Sequence, residues 1–549
     1  MAFAAGITFQ IVAKSGSGGP NAPGTSAPFN SLVGNPVMDN QGDVAFFGQI
    51  SSGGAKNGLW AGPPSAFFKV ILQGDAVPGT SAGVVYASVN DTARNWVIAP
   101  DGGFMVAQTV TGTGITTSND TVVLAGYPSS GLGLVAQEGG TYGHLAAGDI
   151  YLRSGLMLAF SQFNGSSSSY GIWSGTPGHI SQIMAVGTSI QGGGTLANSF
   201  SRSFGLTETG EIYAEFTGNT SVFHGVASQL PTRAWSSGGP SPIAGKNFTS
   251  SFSDLYYAPS MGVGFRNLIT GSQSIFCTGT EGTLKSVILR TDAFGTIGEV
   301  QQCESYTVAA GGGILARVTL NQSVPPANST NNQLLAYIPP GQGLAQAKVV
   351  ARSGDAVPGV PGAVFIGFNG ASFAYTLNAN GLAVAELQFS GAGIDSGNDY
   401  GIFVWDPANE TLQLVTRLGV PQDFGTGALS VSELSFRGGP SATMGLCNGL
   451  NDLNQYAFHL EAGTNDYVVI AKVTPDPVPF VIVANSATPG ERELQFASVT
   501  GKSYQVKYAD ALGDAWQDFG SSVSGTNGTL SASIGAATPP ARYFKVVIQ

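Results

Sequence analysis

Short apolar runs rich in Val, Ile, Phe and Tyr recur along the whole chain, separated by clusters of Gly, Pro, Asn, Asp and Ser. Such runs, bounded by turn formers, read as strands. No stretch carries an amphipathic helix longer than about two turns. One punctuating segment occurs twice, as Gly74-Asp75-Ala76-Val77-Pro78-Gly79 and Gly354-Asp355-Ala356-Val357-Pro358-Gly359. Each copy follows an apolar run, Phe68-Lys69-Val70-Ile71-Leu72 and Ala347-Lys348-Val349-Val350-Ala351. The duplication marks a repeat array.

Alignment outward from the two copies gives a unit of about sixty residues. An apolar run leads to a Gly/Pro loop and a second run. A tight Asn/Asp-x-x-Gly turn and a third run follow, and then a fourth run with Gly-Leu-Trp or a relative of it. In the first unit these are Phe9 to Ala13, Asp39-Asn40-Gln41-Gly42, Val44-Ala45-Phe46-Phe47 and Gly58-Leu59-Trp60. The turn recurs near Gly102, Gly155, Gly210, Gly262, Gly312, Gly381 and Asn454. Asn is the non-glycine residue most at ease in the left-handed region, so Asn454 is a fair substitute. Eight units result, between residues 7 and 473.

Four short strands make a twisted antiparallel sheet that cannot cover its own faces. Stacking like units into a closed ring covers them. The expectation is an all-β chain with an eight-bladed β-propeller of four-stranded blades, seven being the nearest alternative count. An open solenoid or several sandwiches would carry a similar pattern. In a meander, alternate connections leave opposite faces. The Gly-Asp-Ala-Val-Pro-Gly loops and the long insertions (109–121, 321–332, 390–399) then share one face, and the tight turns the other. Any ligand or partner is expected on the long-loop face, since long loops on a rigid scaffold carry binding.

The turns and their sequels, Asp39 to Phe46 and Asn378-Ala379-Asn380-Gly381-Leu382-Ala383-Val384-Ala385, resemble the bacterial tandem-repeat family defined by an NxxGxxAF motif, found in secreted and cell-surface proteins. The resemblance implies an extracytoplasmic propeller and carries over no catalytic residue. Three prolines in 474–479 mark a linker, because proline cannot pair in a central strand. Residues 480–549 read as a small β-sandwich, with Tyr504, Val506 and Tyr508 alternating along one strand. The segment from Gly501 through Leu512 and Trp516 to Arg542-Tyr543-Phe544 resembles a C-terminal module of secreted Verrucomicrobia-type proteins.

Charge changes the picture by exclusion. Lys and Arg number 22 against 33 Asp and Glu, a formal net charge of −11. An acidic chain with scattered cations is a poor partner for nucleic acid. No apolar run reaches the roughly 18–20 residues of a membrane-spanning helix. Ala2-Phe3-Ala4 has the form of a signal-peptidase site, so a secreted chain with an added Met1 is expected.

Candidate chemistry is sparse. Asp75 and Asp355 occupy equivalent loops, too far apart to act as a glycosidase pair; they are read as turn residues and, from their place on the long-loop face, as ligand-face candidates. Glu208 and Glu211 flank a tight turn and read as solvated. His144 is a loop histidine and a ligand-face candidate, and His459 reads as core. Trp60, Trp173 and Trp405 share one place in the fourth run and read as packing, whereas Trp96 and Trp235 are freer candidates for a ligand surface. No cofactor is expected. A structural calcium is conceivable in the oxygen-rich loops of Asp39 and Asp43 and of Asp395 and Asp399. Cys277 and Cys303 read first as buried free thiols, with a disulfide between them as the candidate alternative.

The reading is a non-catalytic extracellular or cell-surface protein that binds a glycan or protein. Self-assembly into a filament or surface layer and action on polysaccharide are the alternatives.

Overall fold

In the computed structural model the described residues are 6–548 other than 17–19, 52–53, 92–94, 165–167, 198–199, 217, 219, 369–373, 426, 440–447, 475–481, 486–490, 499–502, 510–516, 527–528 and 537–542. The chain divides into two compact units. One is Thr8–Trp405 with Leu412–Lys472, and the other is Met1–Ile7 with Asp406–Thr411 and Val473–Gln549.

The larger unit is an eight-bladed β-propeller of four-stranded antiparallel blades. With strands A to D running from the channel outward, blade 1 has A in two pieces, Phe29–Ser31 and Val37–Met38, then Val44–Ser51, Ala55–Gly62 and Phe68–Leu72. Blades 2 and 7 split A in the same way, into Val85–Tyr86 with Trp96–Ile98 and Ala363–Phe365 with Tyr375–Leu377, and blades 3, 4, 5 and 6 run over 144–185, 200–236, 253–289 and 298–352. Blade 8 takes A, B and C from Ala428–Phe436, Gln455–Ala462 and Asn465–Val473, and D from the other end of the chain, Ile7–Lys14. The N-terminal strand therefore closes the ring.

This closure corrects the register expected from sequence. The first run of each sequence unit is strand D of the preceding blade, and the fourth run, with Trp60, is strand C. The shift is one strand in a cyclic meander, so the division of loops between faces is unchanged. D–A and B–C connections leave the long-loop face, and A–B and C–D connections the other.

All eight tight turns are A–B turns, and all eight marker residues have positive φ, from 93° at Gly42 to 59° at Asn454. The first residue of the turn fixes it. Asp39 Oδ1 accepts the N–H groups of Gln41 and Asp43 at 2.9 and 2.8 Å. Asn378 Oδ1 does the same for Asn380 and Leu382, and Asn451 Oδ1 for Leu453 and Gln455. Neighbouring turns are stitched together. Asp452 Oδ1 accepts the Ala379 N–H at 2.7 Å, and its Oδ2 accepts Asn40 Nδ2 at 2.6 Å. Asp101 Oδ2 accepts the Gly155 N–H at 2.7 Å, while Gln41 Nε2 donates to the Asp101 carbonyl at 2.9 Å.

The smaller unit contains two three-stranded sheets, ordered Ile482–Asn485, Glu491–Ala497, Thr529–Ala536 and Gln517–Ser524, Ser503–Ala509, Tyr543–Ile548. Leu494, Phe496, Tyr504, Val506 and Val546 form its core. The expected alternation holds at Tyr504 and Val506 but not throughout. Tyr508 is half-buried, and Gln505 is buried, donating to the carbonyls of Val506 and Gly520. The linker beyond Thr474, together with Leu512, Trp516 and Arg542, lies outside the described residues.

Candidate functional site

Strand A of each blade faces the propeller axis, and the A strands of six blades enclose a cavity of about 610 Å³. Gly34, Asp91, Asp254, Tyr306, Tyr375 and Arg437 are among its lining residues. Tyr306 OH donates to the Asp254 carbonyl of the preceding blade, at 2.5 Å. Tyr375 OH lies 2.6 Å from Ser305 Oγ. Trp96, Phe204, Tyr256, Tyr306 and Tyr375 each stand six residues before the turn glycine of their blade. This recurring aromatic position is legible in the sequence as a fixed offset from the turns, and Tyr256, Tyr306 and Tyr375 at it line the cavity.

Asp91 sits against blade 1, where the Cβ of any other residue at Gly34 would fall 1.4 Å from Asp91 Oδ2. Gly34 also has φ 80°, so this position needs glycine twice over. Asp91 Oδ1 accepts Trp96 Nε1 at 2.9 Å. Burial pushes the Asp91 carboxyl up to about 6, opposed by the Trp96 bond and by Arg437. The Arg437 guanidinium lies 5.2 Å from the centroid of the Trp96 ring. Asp254 is ion-paired with Arg266, whose Nε donates to Oδ2 at 2.7 Å.

A second cavity, about 560 Å³, lies between blades 7 and 8 and shares Asn35, Ala374 and Phe436 with the first. It opens at the B–C loop of blade 7, on the long-loop face, and is lined by Glu386, Asp399, Tyr400 and Glu433. Glu386 is 4% exposed, and burial raises its carboxyl to about 8. Tyr400 OH donates to the Leu434 carbonyl, and Gln388 Nε2 to Asp399 Oδ2 at 2.8 Å.

The residues singled out from sequence fall in several places. Asp75 and Asp355 lie in superposable D–A loops, leaving blades 1 and 6. Gly74 N–H to Tyr86 O and Tyr86 N–H to Asp75 O match Gly354 to Phe365 and Phe365 to Asp355, all within 2.8–3.1 Å. The loop is tied by backbone rather than by its carboxylates. Asp75 instead pairs with Lys69 at 2.8 Å, and Asp355 feels Arg352, with burial raising its pKa. The two are not brought together.

Trp96 and Trp235 are not surface residues. They are 0% and 8% exposed, in strands A of blade 2 and D of blade 4, packed by apolar burial like any core tryptophan. Trp60, Trp173 and Trp405 are also buried, each in a C strand. Cys277 and Cys303 are buried free thiols, the first of the two readings, so the disulfide candidate falls away, and burial pushes Cys303 up to about 12. Cys447 lies outside the described residues.

His144 faces the long-loop side, with Nδ1 2.7 Å from Oε1 of the buried Glu138, a partner that sequence reading missed. Glu208 pairs with the buried Arg153 at 2.8 Å and Glu211 with His224 at 3.0 Å, so neither is merely solvated. His459 is 6% exposed, in the core. In the calcium loops, Asp39 is buried and raised to about 7, burial raises Asp43, and Asp395 Oδ1 accepts the Gly397 N–H. Among the described residues no group of three or more His, Cys, Asp or Glu is arranged to hold a metal ion, and no helix is long and apolar enough to cross a membrane.

Residues 4–143 and 325–475, over half of the chain, match the model of a family of unknown function, DUF7453. The chain belongs to this DUF7453 family. The matched segments hold Asp91, Trp96, Arg437 and the blade 7–8 cavity, whereas blades 3 to 5 of this DUF7453 chain lie between them. No curated protein matches the sequence.

Solved structures similar to it include a puromycin-hydrolyzing peptidase of Mycobacterium tuberculosis, at 8% identity and TM-score 0.33, over 87% of this chain and 62% of that one. The chain thus spans less than two thirds of the peptidase. A catalytically inactive virginiamycin B lyase of Staphylococcus aureus, solved with quinupristin, is 11% identical at TM-score 0.31, over 71% and 100%. The polysaccharide lyase Uly1 is 12% identical at TM-score 0.28, over 85% and 94%. At these scores the likenesses carry no argument about activity.

Proposed function

We propose that the chain is a non-catalytic binding platform of the cell surface or extracellular space. Its ligand, a glycan or a surface protein, sits on the long-loop face where the axial channel opens between blades 7 and 8. The observation that carries the reading is the pair of adjoining cavities, about 610 and 560 Å³, since small-molecule and saccharide-end sites are concave and of this size. The resemblance of the turn motif to NxxGxxAF repeat proteins, and of the C-terminal segment to a Verrucomicrobia-type secreted module, supports the location. No cofactor enters this reading.

A rival reading, action on polysaccharide, draws on Glu386. A carboxyl raised to about 8 beside Asp399 and Glu433 has the form of a proton donor near carboxylates. Against it, Glu215 in blade 4 makes the same bond to the next blade as Glu386 does. That repetition favours a structural role. A glycan array with a reducing-sugar assay beside it separates the two: binding without release supports the platform, and release overturns it. Hydrogen-exchange mapping of a binder to the tight-turn face would overturn the site.

A further inference from the structure

Resting on the platform reading, we infer that the axial channel is an oxyanion site, with Arg437 as anchor and the carboxylate-bearing end of an acidic saccharide as ligand. Arg437 directly follows strand A of blade 8, and its backbone approaches that of blade 7, where Gly439 N–H donates to Tyr375 O at 2.8 Å. Its guanidinium lies 5.2 Å from the Trp96 centroid, and makes no hydrogen bond to any described residue.

The two carboxylates on the channel wall each accept a hydrogen bond from a group other than Arg437. Asp254 carries Arg266 at 2.7 Å, and Asp91 accepts Trp96 Nε1 at 2.9 Å. Arg437, whose nearest opposite charge is Asp91, keeps its guanidinium donors without a hydrogen-bond acceptor among the described residues and faces a cavity of about 610 Å³. A guanidinium presents five donors in a planar fork, matched to two oxygens of a carboxylate. An aromatic ring beneath it fixes its plane and favours a cation there, so the fork is held ready for the ligand. The channel wall adds hydroxyls at Ser305 and Tyr375, which suit a polyhydroxylated ligand.

The test is titration calorimetry of the full chain with a galacturonate trimer, with its uncharged methyl ester and with inorganic phosphate. The expected result is acid trimer bound at least about 10-fold tighter than ester, a gap of the size one charge-assisted contact supplies. Arg437→Gln should erase that preference and Arg437→Lys keep part of it, with melting temperatures showing that both variants fold. Binding of the acid should also change tryptophan fluorescence through Trp96. Equal affinity for acid and ester, or a preference that survives Arg437→Gln, overturns the anchor while leaving the platform standing. Phosphate binding as tightly as the acid overturns the saccharide as ligand. Failure of acid and ester alike removes the platform at this site as well.

Discussion

Glu386 and Phe436 join two blades: Glu386 Oε1 accepts the Phe436 N–H at 2.7 Å. Glu215 and Phe252 repeat the bond at 2.9 Å between blades 4 and 5. Both glutamates follow their turn glycine by five residues, and burial raises both. Glu386 goes from 4.5 to about 8. Between those values the folded chain keeps a proton that the unfolded chain has released. Stability from this group is therefore full at low pH, falls as pH rises through that window, and is flat above it. Glu386→Gln keeps the acceptor and removes the proton. It should melt with the parent at about pH 4 and about 2–5 °C above it near pH 8.5. A melting difference that does not grow with pH would contradict this account.

The same pair shows what could and could not be read from sequence. The turn residues were legible because positive φ demands Gly or Asn, and counting them yielded eight blades. The strand that begins a blade was not, because a cyclic repeat has no marked start; only the pairing of Ile7–Lys14 with blade 8 fixes it. Trp96 was misplaced because its strand is interrupted, separating it from the run at Val85–Tyr86. The site was the least legible part. Asp91 and Trp96 are local neighbours, but Arg437 reaches them only once the ring has closed, and no local pattern encodes a contact over that separation.

Asp452 bridges blades 7 and 1 from its own blade, one carboxylate oxygen to each. Charge-assisted bonds of this kind contribute about 1.5–3 kcal/mol each when a partner is lost. Asp452→Ala should cost roughly 2–4 kcal/mol in chemical denaturation and speed hydrogen exchange in Ile7–Lys14 before other strands. Asp395→Ala, in an exposed loop, should stay within about 0.5 kcal/mol.

Asn454 is more than a tolerated stand-in for glycine. Its Oδ1 accepts Asn378 Nδ2 at 2.8 Å and Asn380 Nδ2 at 3.1 Å, tying blade 8 to blade 7. Asn454→Gly relieves the φ of 59° but breaks both bonds. The balance should be destabilising by about 1 kcal/mol, where relief of strain alone would stabilise. A more stable Asn454→Gly would show that the amide oxygen matters little.

Asp91 faces Arg437 and carries a negative charge above about pH 6. It then competes with any oxyanion for the guanidinium. Asp91→Asn keeps an acceptor for Trp96 Nε1 and should raise affinity for the acid trimer about 3–10-fold at pH 7.5, with no gain near pH 5. Calorimetry at the two pH values reads this directly, and a gain equal at both would refute it.

The strand that closes the ring is the first of the propeller to be synthesised, and its partner is among the last. Ile7–Lys14 must wait for Asn465–Val473, and at about 5–20 residues per second that interval is roughly half a minute or longer. Its composition suits the delay. Exposed and half-covered positions alternate along it, and only Ala13 is fully buried in the finished blade. A nascent segment with so little to hide can stay unpaired without recruiting the wrong edge. Ring closure is thus a late event in which the propeller's earliest strand captures one of its latest.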